Sequence, residues 1–265
     1  MNRFVTLIII GLAALLFIPH ESAAQANPPT IQTNPPWEGS VAVGLTVTRG
    51  NSETLLFTAN ALAQKKTKQY EISLGADGTY GETTDQETDE KTRNAASAHG
   101  FGQYNYLFTD EFYGYARLDA LHDAIANVHY RITVGPGVGY YFIKNPKTRL
   151  SGEVGPGYVV ERLHDDGRDG VDDSRDHDND YITIRFAERF EHKFNDSVKM
   201  WQSVEFLPQI DLWRNYIINF EIGAEATLTK QLSLRVFAVD TYDNVPAEGR
   251  KKNDLKVVTA LAYKF

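Results

Sequence analysis

Ser97 and His99 stand two residues apart, a hydroxyl and an imidazole of the kinds that act together as nucleophile and base. Lipid hydrolases use such a pair with a third, orienting group. The residues around this pair carry no nucleophile signature, and the chain has no cysteine to supply a thiol instead. No catalytic residue is therefore expected, and a lipid hydrolase is the remotest reading. Charge offers more chemistry. Arg117, Asp119, Arg131, Glu153, Arg185, Arg189, Glu205, Glu221, Glu225 and Arg235 sit within otherwise apolar or small-residue segments. Enclosed charges of both signs must be paired or wet. Between positions 165 and 180 the chain has eight aspartates, with Gly167, Gly170 and Asn179 among them. Calcium favours such oxygens, but the spacing is not that of an EF-hand. A solvated loop, or one bridged to lipopolysaccharide by divalent ions, is the plainer expectation, and no metal site or cofactor is assigned.

Period-two alternation places the charges. In Leu255–Phe265 one set is Leu255, Val257, Thr259, Leu261, Tyr263 and Phe265, and the other is small or charged. This is a two-faced strand. About twelve such segments follow position 37, separated by turn residues, and the ten charges fall on the face opposite the apolar set. The third segment is the clearest: Tyr70, Ile72, Leu74, Ala76 and Tyr80 alternate with Glu71, Ser73, Gly75, Asp77 and Thr79. In the sixth, His129, Arg131 and Thr133 share the charged face. Gly135-Pro136-Gly137 and Gly155-Pro156-Gly157 fall on neighbouring strands, where a hairpin about Pro146 sets the two prolines opposite each other. Glycine weakens a strand and proline removes a donor, so this pair should bend the wall and leave room inside. Glu188 and Gln202 interrupt the apolar set. A hairpin about Asn195 would place them opposite each other, as a polar patch at a subunit contact.

Residues 1–24 read as a secretory signal: Arg3, an apolar run from Phe4 to Ile18, Pro19, and small residues at Ser22-Ala23-Ala24, with Ala24-Gln25-Ala26 as a second cleavage candidate. Residues 25–37 form a proline-rich lead-in, and 38–265 the β-domain. No later stretch approaches the roughly 18 apolar residues of a membrane helix. A net charge of -8 without basic stripes argues against nucleic acid. A secreted chain of alternating strands is a soluble β-protein or a membrane barrel, the other fold that satisfies every backbone group in lipid.

Loop parity decides for the barrel. If the first strand starts in the periplasm, the turns at 65–69, 109–110, 145–147, 195–196 and 229–231 all fall on that side and all are short. The other side receives 50–52, 82–93, 123–127, 163–180, 211–215 and 244–252, and with them all the long loops. Short periplasmic turns with longer outer loops mark outer-membrane barrels. Aromatic residues gather near both strand ends, as bilayer interfaces favour.

The segment Gly50-Asn51-Ser52-Glu53-Thr54, the two Gly-Pro-Gly stretches and the Tyr263-Lys264-Phe265 ending resemble the "salt-induced outer membrane protein" family, a family of unknown function in Gram-negative bacteria. The resemblance spans roughly residues 37–265. It implies an outer-membrane location and no agreed activity. The aromatic ending also resembles the closing strand of outer-membrane barrels, which implies that Leu261, Tyr263 and Phe265 are read by the barrel-assembly machinery. The expectation is an all-β, transmembrane, antiparallel up-and-down barrel of about twelve strands in the cell outer membrane. Its partners would be lipid, lipopolysaccharide and, through Glu188 and Gln202, further copies of itself. A narrow passive pore for small ions or solutes and a filled, structural barrel serving in osmotic stress both remain open.

Overall fold

A computed structural model describes residues 36–48, 52–85, 90–163, 177–246 and 250–265. The signal segment, most of the lead-in and the core of the aspartate-rich loop lie outside these residues. Twelve antiparallel strands form a closed barrel in which each strand pairs with its sequence neighbours and the last pairs with the first. They are β1 (Glu38–Thr48), β2 (Ser52–Lys66), β3 (Tyr70–Asp85), β4 (Lys91–Leu107), β5 (Phe112–Asp123), β6 (Val128–Lys144), β7 (Thr148–Leu163), β8 (His177–Lys193), β9 (Val198–Pro208), β10 (Tyr216–Thr227), β11 (Leu232–Asp243) and β12 (Asn253–Lys264). Every strand thus pairs on both sides, with the shortest ladder at the β1–β12 seam.

The barrel is turned inside out relative to a water-soluble protein. Its large apolar side chains point outward and are exposed, among them Val43, Leu45, Phe57, Leu118, Val134, Phe186, Val236 and Leu261. Its buried residues include Ser40, Glu71, Asn105, Glu161, Thr183, Glu225 and Ser233, which face the lumen. Aromatic rings meet edge to face or stacked near one rim, as in Tyr70–Tyr104, Tyr106–Phe108, Phe108–Phe112 and Tyr140–Phe142. Phe206, Tyr216 and Tyr242 do the same toward the other.

One rim is built from five copies of one turn. Thr67, Thr109, Asn145, Asn195 and Thr229 each begin a short connection. In each, the side-chain oxygen accepts hydrogen bonds from the backbone N–H groups two and three residues on. The backbone N–H of the same residue donates to the carbonyl three residues on. This Asx or Ser/Thr turn satisfies groups that the ladder leaves free. We call this end the turn rim and the other the loop rim.

Two expectations about connections change. The segment 82–93 is mostly strand: Glu82 pairs with Arg93, Thr83 with Thr92 and Thr84 with Lys91, after a bulge at Gly81/Glu82. Cross-strand Thr–Thr and opposite-charge pairs carry the ladder past the point where a polar composition suggests a loop. The Asn195 turn spans four residues, so the hairpin centres one residue later than expected. Glu188 faces Val204 and Gln202 faces Phe190. The amide of Gln202 still reaches the Glu188 carboxylate diagonally at 3.1 Å. Both residues lie on the outer wall.

Candidate functional site

The lumen collects the chain's charged side chains, and the strand pleat puts them there. On β3, β4 and β5 the odd-numbered residues point inward, so Asp77, His99, Gln103, Arg117 and Asp119 line one side of the wall. Arg117 grips Asp119 through two bonds of 2.7 and 2.6 Å and donates to Gln103 Oε1 at 3.0 Å. Its guanidinium rests on the Phe101 ring, 4.5 Å from the centroid. Glu153 on β7 accepts from Gln103 and Tyr113, both at 2.8 Å, and from Arg185 at 2.6 Å. Arg185 Nε continues to Glu205 at 2.5 Å, and Asn219 donates to Glu205 at 3.0 Å. Thr241 then donates to Asn219 at 3.3 Å. A girdle of polar contacts thus runs along the wall from β3 to β11.

The girdle crosses β6 without using a β6 side chain. Gly135, Gly137 and Gly139 face inward there, bare of side chain. Tyr115 lies over Gly137 and Tyr113 over Gly139, each its direct cross-strand partner. Groups on β4 and β5 therefore reach Glu153 on β7. The expected Gly-Pro-Gly room exists, but tyrosine rings occupy much of it. The register does bring Pro136 opposite Pro156: Val134 pairs with Tyr158 and Val138 with Val154, with no ladder pairs between them. Phe101 over Gly75 and Trp201 over Gly223 repeat the arrangement of ring on glycine.

The remaining candidates fall into two groups. Toward the turn rim, Glu225 holds Arg235 at 2.5 Å, Lys199 at 3.8 Å and, closer still, Lys264. Glu71 on β3 meets Arg149 at 3.2 Å and Tyr141 at 2.5 Å across the lumen. Higher up, at mid-height, Glu221 accepts from the Trp201 indole. Arg189 and Lys66 face the lumen exposed, and neither forms a hydrogen bond or ion pair among the described residues. Toward the loop rim, Arg131 on β6 pairs with Glu161 at 2.5 Å and reaches Asp243 on β11 at 3.5 Å. Lys256 on β12 approaches Asp123 on β5 at 4.0 Å. These strands lie almost opposite each other in the barrel. A circular barrel of this strand number would measure roughly 24 Å across, from a strand spacing of about 4.8 Å and a tilt of about 40°. Bond lengths limit an arginine, an aspartate and the contact between them to roughly 14 Å. The barrel is therefore flattened at this level.

The strand pleat places the ten charged residues as follows. Arg117, Asp119, Glu153, Arg185 and Glu205 share the girdle; Glu225 and Arg235 share the turn-rim cluster; Arg131, Glu221 and Arg189 are separate. Glu71, Tyr141, Arg149 and Lys199 were not singled out, although the alternation alone puts Glu71 and Lys199 on the inward set. His129 departs from expectation. A bulge between Val128 and Tyr130 leaves it unpaired, and its ring packs against His122 and Tyr130 instead of facing the lumen.

Ser97 and His99 do not form a nucleophile–base pair. His99 Nδ1 lies 2.9 Å from Asp77 and Nε2 lies 3.5 Å from Asp119, while the Ser97 hydroxyl is approached by Lys256 at 3.4 Å. Both ring nitrogens face carboxylates, so neither is turned to the serine.

Comparison with known proteins agrees with this architecture. The NanC porin matches with a TM-score of 0.50 at 6% identity, over 84% of this chain and 98% of that one. An outer-membrane channel from Pseudomonas putida F1 matches at 0.48 and 10% identity, over 91% and 100%. The KdgM porin matches at 0.43 and 6% identity, over 86% and 99%. At 6% identity the likeness to the NanC porin is one of fold alone. No curated protein matches the sequence. The model of a family described as "Protein of unknown function, DUF481" matches residues 41–265, and the chain belongs to that family.

Proposed function

We propose that this barrel lies in the outer membrane of a Gram-negative bacterium, turn rim in the periplasm, and acts as a narrow passive pore for small ions or solutes. The apolar outer wall and the two aromatic belts support the location. One observation carries the pore. Water-accessible charged side chains occur at every depth of the lumen: Lys264 is 34% and Lys199 32% exposed near the turn rim, Asp77 51% and His99 30% at mid-height, and Lys256 36% beyond. A lumen packed like a protein core would bury them. Lipopolysaccharide around the loop rim and the barrel-assembly machinery at the last strand are the partners this reading implies.

The cross-lumen contacts of Arg131 and Lys256 favour a second reading, a structural barrel with a filled mouth that serves the envelope in osmotic stress, as the salt-induced family name suggests. Single-channel recording in planar bilayers separates the two. Steps of discrete conductance from purified, folded protein are expected; a folded barrel that stays silent overturns the pore.

A further inference from the structure

The lumen charges are sorted by sign along the barrel axis. In the third of the lumen nearest the turn rim the inward cations are Lys66, Arg149, Arg189, Lys199, Arg235 and Lys264, together with Lys144 and Lys193 at the strand ends. The carboxylates at this level are fewer: Glu38, Glu71, Glu191 and Glu225. Exposure sharpens the contrast. Glu225 is 1% and Glu71 8% exposed, whereas Lys264, Lys199, Lys144 and Arg149 are 34, 32, 28 and 26% exposed. Water in this part of the lumen meets ammonium and guanidinium groups with Glu71 and Glu225 hidden beneath them, while Glu38 is exposed and Glu191 partly so.

The balance reverses further along. At mid-height Asp77, Asp119, Glu153, Glu205 and Glu221 outnumber Arg117, Arg185 and His99, and Asp77 is the most exposed of them. Among the described inward residues near the loop rim, Asp123, Glu161, Asp243 and Asp254 outnumber Arg131, Arg250 and Lys256. The centres of the basic and acidic zones are some seven or eight residues apart along the strands, roughly 20 Å at about 2.5 Å of axial rise per tilted residue. That is about two Debye lengths at 0.1 M salt, so each zone keeps its own sign.

We propose that the lumen is an electrostatically bipolar channel that rectifies ion current. The inference rests on the pore reading above. Rings of charge decide which ion enters each end of a narrow channel. With the loop-rim side positive, cations enter through the acidic zone and anions through the basic zone, so both fill the lumen and conductance rises. With the polarity reversed, each ion must enter through the zone that repels it, and the lumen is depleted.

The test is the current–voltage curve of single channels in symmetric potassium chloride. The chain has no cysteine, so Ala124→Cys in the exposed β5–β6 turn reports orientation when a membrane-impermeant thiol reagent is added to one chamber. At 0.1 M salt the current with the loop-rim side positive should exceed the reverse by about twofold. The asymmetry should vanish near 1 M, where the screening length falls to about 3 Å. Lys66→Glu with Arg189→Glu removes two exposed, unpaired cations from the basic zone and should abolish or invert the asymmetry. Lys66→Gln with Arg189→Gln should weaken it and serves if the charge reversal fails to fold. Conductance that is symmetric at low salt, or rectification unchanged in a folded variant, overturns the bipolar channel and leaves the pore standing. Absence of any conductance overturns both.

Discussion

Lys264 covers the carboxylate of Glu225. The ammonium is 34% exposed and the carboxylate 1%; Lys264 lies on Oε1, with Arg235 and Lys199 drawn to Oε2. One acid on β10 therefore holds cations from β9, β11 and β12, beside the seam where β12 meets β1. Its removal leaves three like charges facing one another. Glu225→Gln should cost about 3 kcal/mol, since breaking a buried ion pair from one side leaves charge uncompensated. Urea unfolding in lipid vesicles measures this, and an unshifted midpoint would show that water already solvates the cluster.

Four inward aromatic rings lie on glycines directly across the ladder: Phe101 on Gly75, Tyr115 on Gly137, Tyr113 on Gly139 and Trp201 on Gly223. A side chain at these glycines would take the space of the ring. Gly137→Val should destabilise by about 1–3 kcal/mol, the usual cost of overpacking. Combined with Tyr115→Ala the loss should shrink, because the clashing ring is gone. A double-mutant cycle reads the coupling, and strictly additive losses would show that the pair does not interact.

The five turns offer a cleaner test of local chemistry. Asn195→Ala removes two side-chain acceptor bonds to backbone N–H groups, each worth roughly 0.5–1.5 kcal/mol. Asn195→Thr should recover much of the loss, because threonine performs the same task at Thr67, Thr109 and Thr229. Equal unfolding midpoints for the alanine and threonine variants would contradict this role.

The barrel was legible because lumen and outer wall impose a strict period of two, visible from Tyr70 to Tyr80 and again from Leu255 to Phe265. The inward placement of Arg117, Glu153 or Arg185 follows from the same rule. Partners on adjacent strands follow only when the turn is known to the residue. A turn at Asn195 that is longer than assumed is enough to move Glu188 from Gln202 to Val204. Partners on distant strands were beyond the sequence altogether. Arg131 meets Asp243 because the barrel is flattened near the loop rim, and Gln103 meets Glu153 because β6 is bare of side chains at mid-height, and neither property is written in any one segment.

Glu188 remains the misfit of the outer wall. It is half-buried beside a groove of about 450 Å³ lined by Phe112, Tyr140, Phe142, Val154, Phe186 and Phe206, with Gln202 as its hydrogen-bond donor. A carboxyl facing lipid is unfavourable, though less so than a lysine or arginine. Glu188→Leu should therefore raise stability in vesicles by about 1–2 kcal/mol. A loss of stability instead would mean that another polar surface, such as a second copy of the barrel, covers this site in the membrane.

Phe265 lies at the closing seam. Among the described residues the β1–β12 ladder is short, pairing Ser40 with Lys264, Val41 with Tyr263, Ala42 with Ala262 and Val43 with Leu261. Phe265 lengthens it by a residue: its N–H donates to the Gly39 carbonyl at 3.0 Å, and the Gly39 N–H donates to its carbonyl at 2.9 Å. Its ring lies against Gly39 and, like Leu261 and Tyr263, is exposed on the outer wall. Deleting Phe265 removes both bonds and the aromatic end of the belt at the seam, while leaving every lumen charge in place. The expected outcome is loss of the membrane-inserted form whose electrophoretic mobility changes on heating, with normal conductance in the few barrels that assemble. Phe265→Tyr keeps the bonds and the ring and should assemble normally. If the deletion variant assembles in normal yield, the seam is held by the remaining pairs alone and the ending has no part in assembly.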